Sequence, residues 1–202
     1  MSLDSHLVHF FGNYKTKGTF SVYDNNYLNG TWTNLGKTYN RGGYSNTLNV
    51  QGKFINKGQI RNHPGGGSLY LELNSDLENQ SVYAPRRTTI LKDKTVTLSQ
   101  SINKVFEGEF YLVDTSSSII SGSDLYFDKV YIHGAYVEGK RSPIVTNGYD
   151  LTFDTCTLYT LDFSGVDALS LDASDLLSVN MLGNLTLEGT FSIYDYVISM
   201  AK

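Results

Sequence analysis

The sequence is poor in the residues that would place it in several common classes. It has one cysteine in 202 residues, which excludes an internal disulfide framework and any cysteine-built zinc or iron–sulfur centre. Alanine occurs five times and glutamate six times, so good formers of long helices are scarce. No run approaches the roughly 20 consecutive apolar residues that span a bilayer as a helix, so no membrane insertion is expected. Charged residues make up 18% of the chain and the net charge is −4. That balance gives no electrostatic reason to expect nucleic acid or an anionic membrane surface as a partner. The four histidines, His6, His9, His63 and His133, show no H-E-x-x-H spacing, and no G-x-S-x-G elbow occurs. No catalytic residues and no metal ligands are proposed on these grounds.

What the sequence does hold is glycine (19), tyrosine (15), threonine, serine and asparagine, a composition that favours strands and turns. Alternation with period two recurs along the chain, as in Leu69, Leu71 and Leu73, in Val96 and Leu98, in Phe110 and Leu112, and in Leu185, Leu187, Phe191 and Ile193. Such runs predict half-buried strands. Leu151, Phe153, Tyr159, Leu161 and Phe163 read as one inward set, with Cys156 of outward parity and expected to be a passive thiol. Short motifs repeat: Gly18-Thr19-Phe20, Gly30-Thr31-Trp32, Gly52-Lys53-Phe54 and Gly58-Gln59-Ile60 each place a glycine two residues before a bulky group. Leu151-Thr152-Phe153, Leu169-Ser170-Leu171 and Leu185-Thr186-Leu187 follow at intervals of 18 and 16 residues. A motif that persists while its spacing drifts fits a solenoid, whose coils absorb insertions in their loops.

The stretch Leu28–Asn62, with Asn29-Gly30-Thr31-Trp32-Thr33-Asn34 answered by Gln51-Gly52-Lys53-Phe54-Ile55-Asn56, resembles the glycine–threonine–asparagine repeats of bacterial surface and secreted right-handed parallel β-helix proteins. That architecture is shared by pectin-lyase-like enzymes and phage tailspikes. The expected fold is therefore all-β, a single-stranded parallel β-helix (β-solenoid) over residues 1–202, with a β-sandwich or jelly roll as the alternative. Coils of roughly 20 residues would number about ten, with asparagine or glycine at corners that need left-handed backbone. Leu7, Val8, Phe10 and Phe11 could form part of an N-terminal cover. The abrupt start suggests a segment of a longer protein.

Two regions carry the candidate chemistry. Tyr23, Tyr27, Trp32, Tyr39 and Tyr44 lie beside Asn25, Asn26, Asn29, Asn34, Asn40 and Asn46, and aromatic faces with amide groups are what a carbohydrate site needs. Residues 150–202 hold Asp150, Asp154, Asp162, Asp167, Asp172, Asp175, Glu188 and Asp195 against Lys202 alone. No cofactor is required by the sequence, and calcium is the cation such an acidic block would suit. Arg86, Arg87, Lys92, Lys94, Lys140 and Arg141 are the cations a polysaccharide lyase could enlist. Asn29, Asn79 and Asn184 match the glycosylation acceptor pattern. The expected role is a non-catalytic, secreted or cell-surface stalk or adhesion element that binds carbohydrate or a surface protein, with a trimer as one possible assembly. The alternative is a polysaccharide-active lyase or glycoside hydrolase on the same scaffold.

Overall fold

The computed structural model describes residues 2–5, 7–166, 168–172, 174–177, 179–182, 184–189, 192–194 and 198–200. The chain winds into a three-faced β-solenoid, each coil laying one strand on each face in the order A, B, C. The fifth coil shows the plan: Val82–Ala84 on face A, Arg87–Ile90 on face B and Thr95–Gln100 on face C. Faces B and C each form a path ten strands long in which each strand pairs with its counterpart on the next coil. Face A has five strands, a single bridging residue, Phe106, and four more strands. At about 4.8 Å per strand the stack is about 45 Å tall. All pairings among the described strands are parallel except one hairpin, in which Tyr136–Val137 folds back on Lys140–Arg141. Parallel stacking between successive coils excludes the sandwich, whose sheets are antiparallel.

The repeats seen in the sequence are vertical rows. Leu151 stands under Leu169 and Leu169 under Leu185, and Phe153 pairs with Leu171. Coil length drifts from 16 residues (Ala168 to Asn184) to 26 (Leu125 to Leu151), the extra residues looping out at corners. Inside, aromatic rings run up the stack. Trp32 and Phe54 lie face to face at 4.1 Å between centroids, and Tyr83, Phe106, Phe127 and Phe153 follow one another at 5.0 to 5.5 Å. Leu48, Leu71, Ile90, Leu98 and Ile119 are among the fully buried aliphatics that fill the remaining space.

Corners are governed by two devices. In the first, glycines stack: Gly30 lies over Gly12 and under Gly52, and Gly36 lies between Gly18 and Gly58. A Cβ on Gly36 would stand 1.9 Å from the Gly18 carbonyl oxygen, and one on Gly30 1.9 Å from that of Gly12. The glycine before each bulky residue in the motif is thus the point where successive main chains touch. In the second, Asn34, Asn56 and Asn79 form a buried ladder after face C. Asn34 Nδ2 donates to Asn56 Oδ1 at 3.0 Å, and Asn56 Nδ2 donates to Asn79 Oδ1 at 2.9 Å. Their amides also donate to the carbonyls of Gln59 and Val82, at the start of the next face A strand, and of Val105, just before the bridging Phe106. The backbone polar groups of a tight corner, which a core cannot leave unpaired, find their partners this way.

Three expectations are corrected. Buried asparagines do not supply left-handed backbone, since among the described non-glycine residues with positive φ only Asn103 is an asparagine, the others including Asp93, Lys129, Thr155 and Thr160. Leu7 and Phe11 do not cover the first coil. His9–Phe11 is the first face B strand, with Leu7 and Phe11 exposed and Phe10 packed on the core. Left-handed turns at Thr155 and Thr160 reset the strand parity, so Cys156 and Leu158 point inward and Tyr159 outward. Burial pushes the Cys156 thiol up to about 12, so little thiolate exists at neutral pH. We expect a maleimide or disulfide reagent at pH 8 to leave Cys156 unmodified in the native protein and to modify it fully in denaturant. Rapid native labelling would contradict its burial.

Candidate functional site

Face B carries two outward rows through its central coils. One runs Tyr70, Arg87, Glu109, Tyr131 and the other Glu72, Thr89, Tyr111, His133, Tyr159. Stacked coils hold equivalent side chains one strand spacing apart, so flat groups meet face to face. Tyr111 and His133 stack at 4.4 Å and His133 and Tyr159 at 4.7 Å, with their ring planes nearly parallel. Arg87 spreads its guanidinium over Tyr111 at 4.1 Å and Tyr70 at 5.4 Å, a cation–π arrangement. Partial burial holds His133 below its ordinary pKa, against the opposing pull of Glu109, with Arg87 adding to the depression. His133 is therefore neutral at pH 7.

Where face A turns into face B these rows border a groove of about 460 Å³. Its walls come from four successive coils: Asn62, then Ala84, Pro85 and Arg86, then Glu107, Gly108 and Glu109, then Lys129, Tyr131 and His133. The groove therefore runs along the solenoid axis. Arg86 binds Glu109 Oε1 at 2.9 Å and Arg87 lies 3.4 Å from Oε2, so both oxygens of that carboxylate face guanidinium groups. Glu107 is exposed, and Tyr131 keeps 51% of its surface open to solvent. Such a wall offers one open aromatic face and several hydrogen-bonding groups of both charges.

The five aromatic residues singled out from the sequence are divided by the fold. Trp32 is fully buried, packed between Phe20 and Phe54 with its indole N–H donating to Thr16 Oγ1. It offers no face to a ligand, because its position two residues after Gly30 is the inward start of a face C strand. Tyr39 is only 9% exposed, covered by His63 at 4.9 Å and Arg41 at 5.5 Å. Tyr23 follows the face A strand Thr19–Val22 and is half-buried. Tyr27 stacks on His9 in the outer row of face B, and Tyr44, 86% exposed, tips the corner loop of the third coil. Four of the five thus belong to face A, face B or the corner between them, on the coils that precede the groove. Of the neighbouring asparagines, Asn26, Asn34, Asn40 and Asn46 are buried and bonded internally. Asn25 and Asn29 are exposed.

The remaining candidates fall elsewhere. Asp128, Asp154 and Asp172 stand one above another on the outer side of face A. Asp154 accepts a hydrogen bond from Tyr126 at 2.7 Å, which lowers the aspartate's pKa and raises that of the tyrosine to about 12. Asp162 accepts from the Ser164 amide and Asp124 from that of Asp150. Asp167 and Asp195 lie outside the described residues, and only the backbones of Asp175 and Glu188 are described. Among the described residues no three acidic, histidine or cysteine groups converge as a metal site would require. Of the lyase cations, Arg86 lines the groove and Arg87 lies beside it, Lys92 pairs with Asp114 at 3.7 Å, and Lys140 and Arg141 sit in the hairpin. Asn79, locked in the buried ladder, is closed to glycosylation. The axial groove was missed in the sequence because its residues are about 20 positions apart, and only the coil register brings them together. The recurrence of Tyr70, Tyr111, Tyr131 and Tyr159 with His133 was the one available signal.

Comparison with protein families, with curated proteins and with solved structures returned no match to this chain.

Proposed function

We propose that the protein is a non-catalytic β-solenoid module of a secreted or cell-surface protein, a stalk or adhesion element that holds carbohydrate along the corner between faces A and B. The observation that carries this reading is the axial groove, contributed by four coils and walled by the open ring of Tyr131 with Arg86, Glu107, Lys129 and Asn62 around it. A sugar ring packs its C–H face on an aromatic ring and exchanges its hydroxyls with charged and amide groups. The stalk role rests on the stack itself. A parallel three-faced rod needs no rearrangement to present its outer rows at fixed spacing, and rigid presentation lowers the ordering cost of binding. The placement outside the cell rests on the resemblance of residues 28–62 to surface and secreted repeat proteins, and an assembly of three such rods is compatible with that resemblance.

A polysaccharide-retention or glycan-array assay tests the reading. Tyr131→Ala is expected to weaken the binding of a retained glycan by about tenfold, a stacking contact of roughly 1.4 kcal/mol, while Tyr44→Ala leaves it unchanged. Failure of every glycan tested to bind, or equal loss in both variants, would remove the groove from this role.

One observation favours the second reading, polysaccharide cleavage: Arg86, Lys129, Glu107 and the neutral His133 converge on the same groove. Against it, both oxygens of Glu109 are held by guanidinium groups, which leaves Glu107 without a free carboxylate partner of the kind glycoside hydrolysis uses. Release of reducing ends or of unsaturated uronate products from a bound polysaccharide would decide for the enzyme.

A further inference from the structure

The chain contains two Asn-Gly steps, Asn29–Gly30 and Asn147–Gly148. In such a step the backbone nitrogen of the glycine can reach the preceding side-chain carboxamide with little obstruction, because glycine carries no Cβ. The fold treats the two steps differently.

Asn29 ends the face B strand Asn26–Asn29 and pairs with Phe11 of the coil before. Gly30 is locked in a glycine row, where even a Cβ would stand 1.9 Å from the Gly12 carbonyl oxygen. Thr31, next in the chain, is held on both sides. Its amide donates to Asn13 Oδ1 at 3.1 Å, and its carbonyl accepts from the Tyr14 amide at 2.8 Å. Swinging the Gly30 nitrogen onto Asn29 Cγ requires the extended backbone to turn over, which would take this corner apart.

Asn147 and Gly148 belong to the exposed segment 147–150, which joins the face C strand Lys140–Thr146 to the face A strand Leu151–Asp154. Gly148 has a φ of +79° and nothing within 4 Å of where a Cβ would stand. The cross-coil bonds that pin the corner begin only at Asp150, whose amide donates to Asp124 Oδ1 at 3.1 Å and whose carbonyl accepts from the Leu125 amide at 2.9 Å.

We propose that Asn147 is a site of spontaneous deamidation in the folded protein, and that the fold protects Asn29. The Gly148 amide nitrogen gives up its proton to solvent base and bonds to Asn147 Cγ. The bond from Cγ to Nδ2 breaks, and that nitrogen leaves as ammonia. Water then opens the five-membered succinimide at one of its two carbonyls, giving aspartate or isoaspartate. Water is the only co-reactant. The product adds a carboxylate beside Asp124 and Asp150, at a different corner from the groove. Where isoaspartate forms, the extra backbone atom falls in a segment that carries no cross-coil bond between Thr146 and Asp150, so the stack persists.

Incubation of the whole protein at mildly alkaline pH, followed by digestion and mass spectrometry, tests this. The peptide containing residue 147 is expected to gain one mass unit progressively and to become a substrate for isoaspartyl methyltransferase. The peptide containing residue 29 should stay unchanged in native buffer and convert only in denaturant. Asn147→Gln should abolish the native-state signal, and Gly148→Ala should reduce it to the background seen at residue 29. Conversion of Asn29 as fast as Asn147 in the folded protein would overturn the proposal, as would an Asn147 rate no faster in the native protein than the rate at Asn29.

Discussion

Trp32→Ala is expected to lower the stability of the N-terminal coils by about 3–5 kcal/mol, the range for emptying a large aromatic site in a packed core. The indole is fully buried, lies edge-on to Phe20 at 6.1 Å and face to face with Phe54 at 4.1 Å, and its N–H is bonded to Thr16. Its removal leaves a cavity between two rings held by their own strands, which can close only partly. Because each coil touches only its neighbours, the loss should be local. Hydrogen exchange should rise in residues 14–60 and remain low in residues 118–163. In the wild-type protein the same burial makes the emission of this single tryptophan blue-shifted, shielded from acrylamide and insensitive to added sugar. An unchanged melting curve for the variant, or sugar-dependent quenching in the wild type, would mean that the side chain faces outward.

Asn56→Leu is the second large effect, expected at about 3–5 kcal/mol although the side chain keeps its branched shape and its number of heavy atoms. The substitution removes a donor to Asn79 Oδ1 and to the Val82 carbonyl and an acceptor for Asn34 Nδ2, and each buried polar group left unpaired costs about 1–3 kcal/mol. Asn56→Asp sharpens the test through pH. A carboxylate here would face Asn79 Oδ1 and the Val82 carbonyl, both acceptors, in a buried setting that disfavours its charged form and raises its pKa above the ordinary value of about 3.9. Its penalty relative to the wild type should therefore be smallest in acid, where the group is protonated, and should grow as pH rises through the raised pKa. Denaturant midpoints of the two variants at pH 4 and pH 7 measure this. A pH-independent difference for Asn56→Asp would place residue 56 in contact with water.

Much of the fold was legible because a solenoid writes its register into the sequence. Leu151, Leu169 and Leu185 recur with a shared flanking pattern because each occupies the same place in successive coils. The glycines before Phe20, Trp32, Phe54 and Ile60 recur because stacked main chains leave no room for a Cβ. Among the described residues alternation failed as a guide only where a left-handed residue shifted its phase, at Thr155 and Thr160, and β-branched threonine carries no local signal for that conformation; the inward set of Leu185, Leu187, Phe191 and Ile193 lies outside the described side chains.

The candidate site was far less legible. Tyrosine and asparagine density pointed to the first fifth of the chain, yet density does not say which side of a strand faces water. Trp32 and Tyr39 went inward or under cover, and the buried asparagines proved to be corner ladders. The groove instead gathers Asn62, Arg86, Glu107 and Tyr131, residues that share no motif.

The sequence by itself determined the class of structure, the stacking of strands and the absence of a cysteine framework, because those follow from composition and from a period that repeats along the chain. Tertiary structure alone decided which tyrosines are free, that Arg87 and His133 sit between rings, and that one Asn-Gly step is locked while the other is open. Those properties depend on what lies one coil above and below, about 20 residues away, and coil lengths that vary from 16 to 26 residues keep that vertical neighbour from being read by counting.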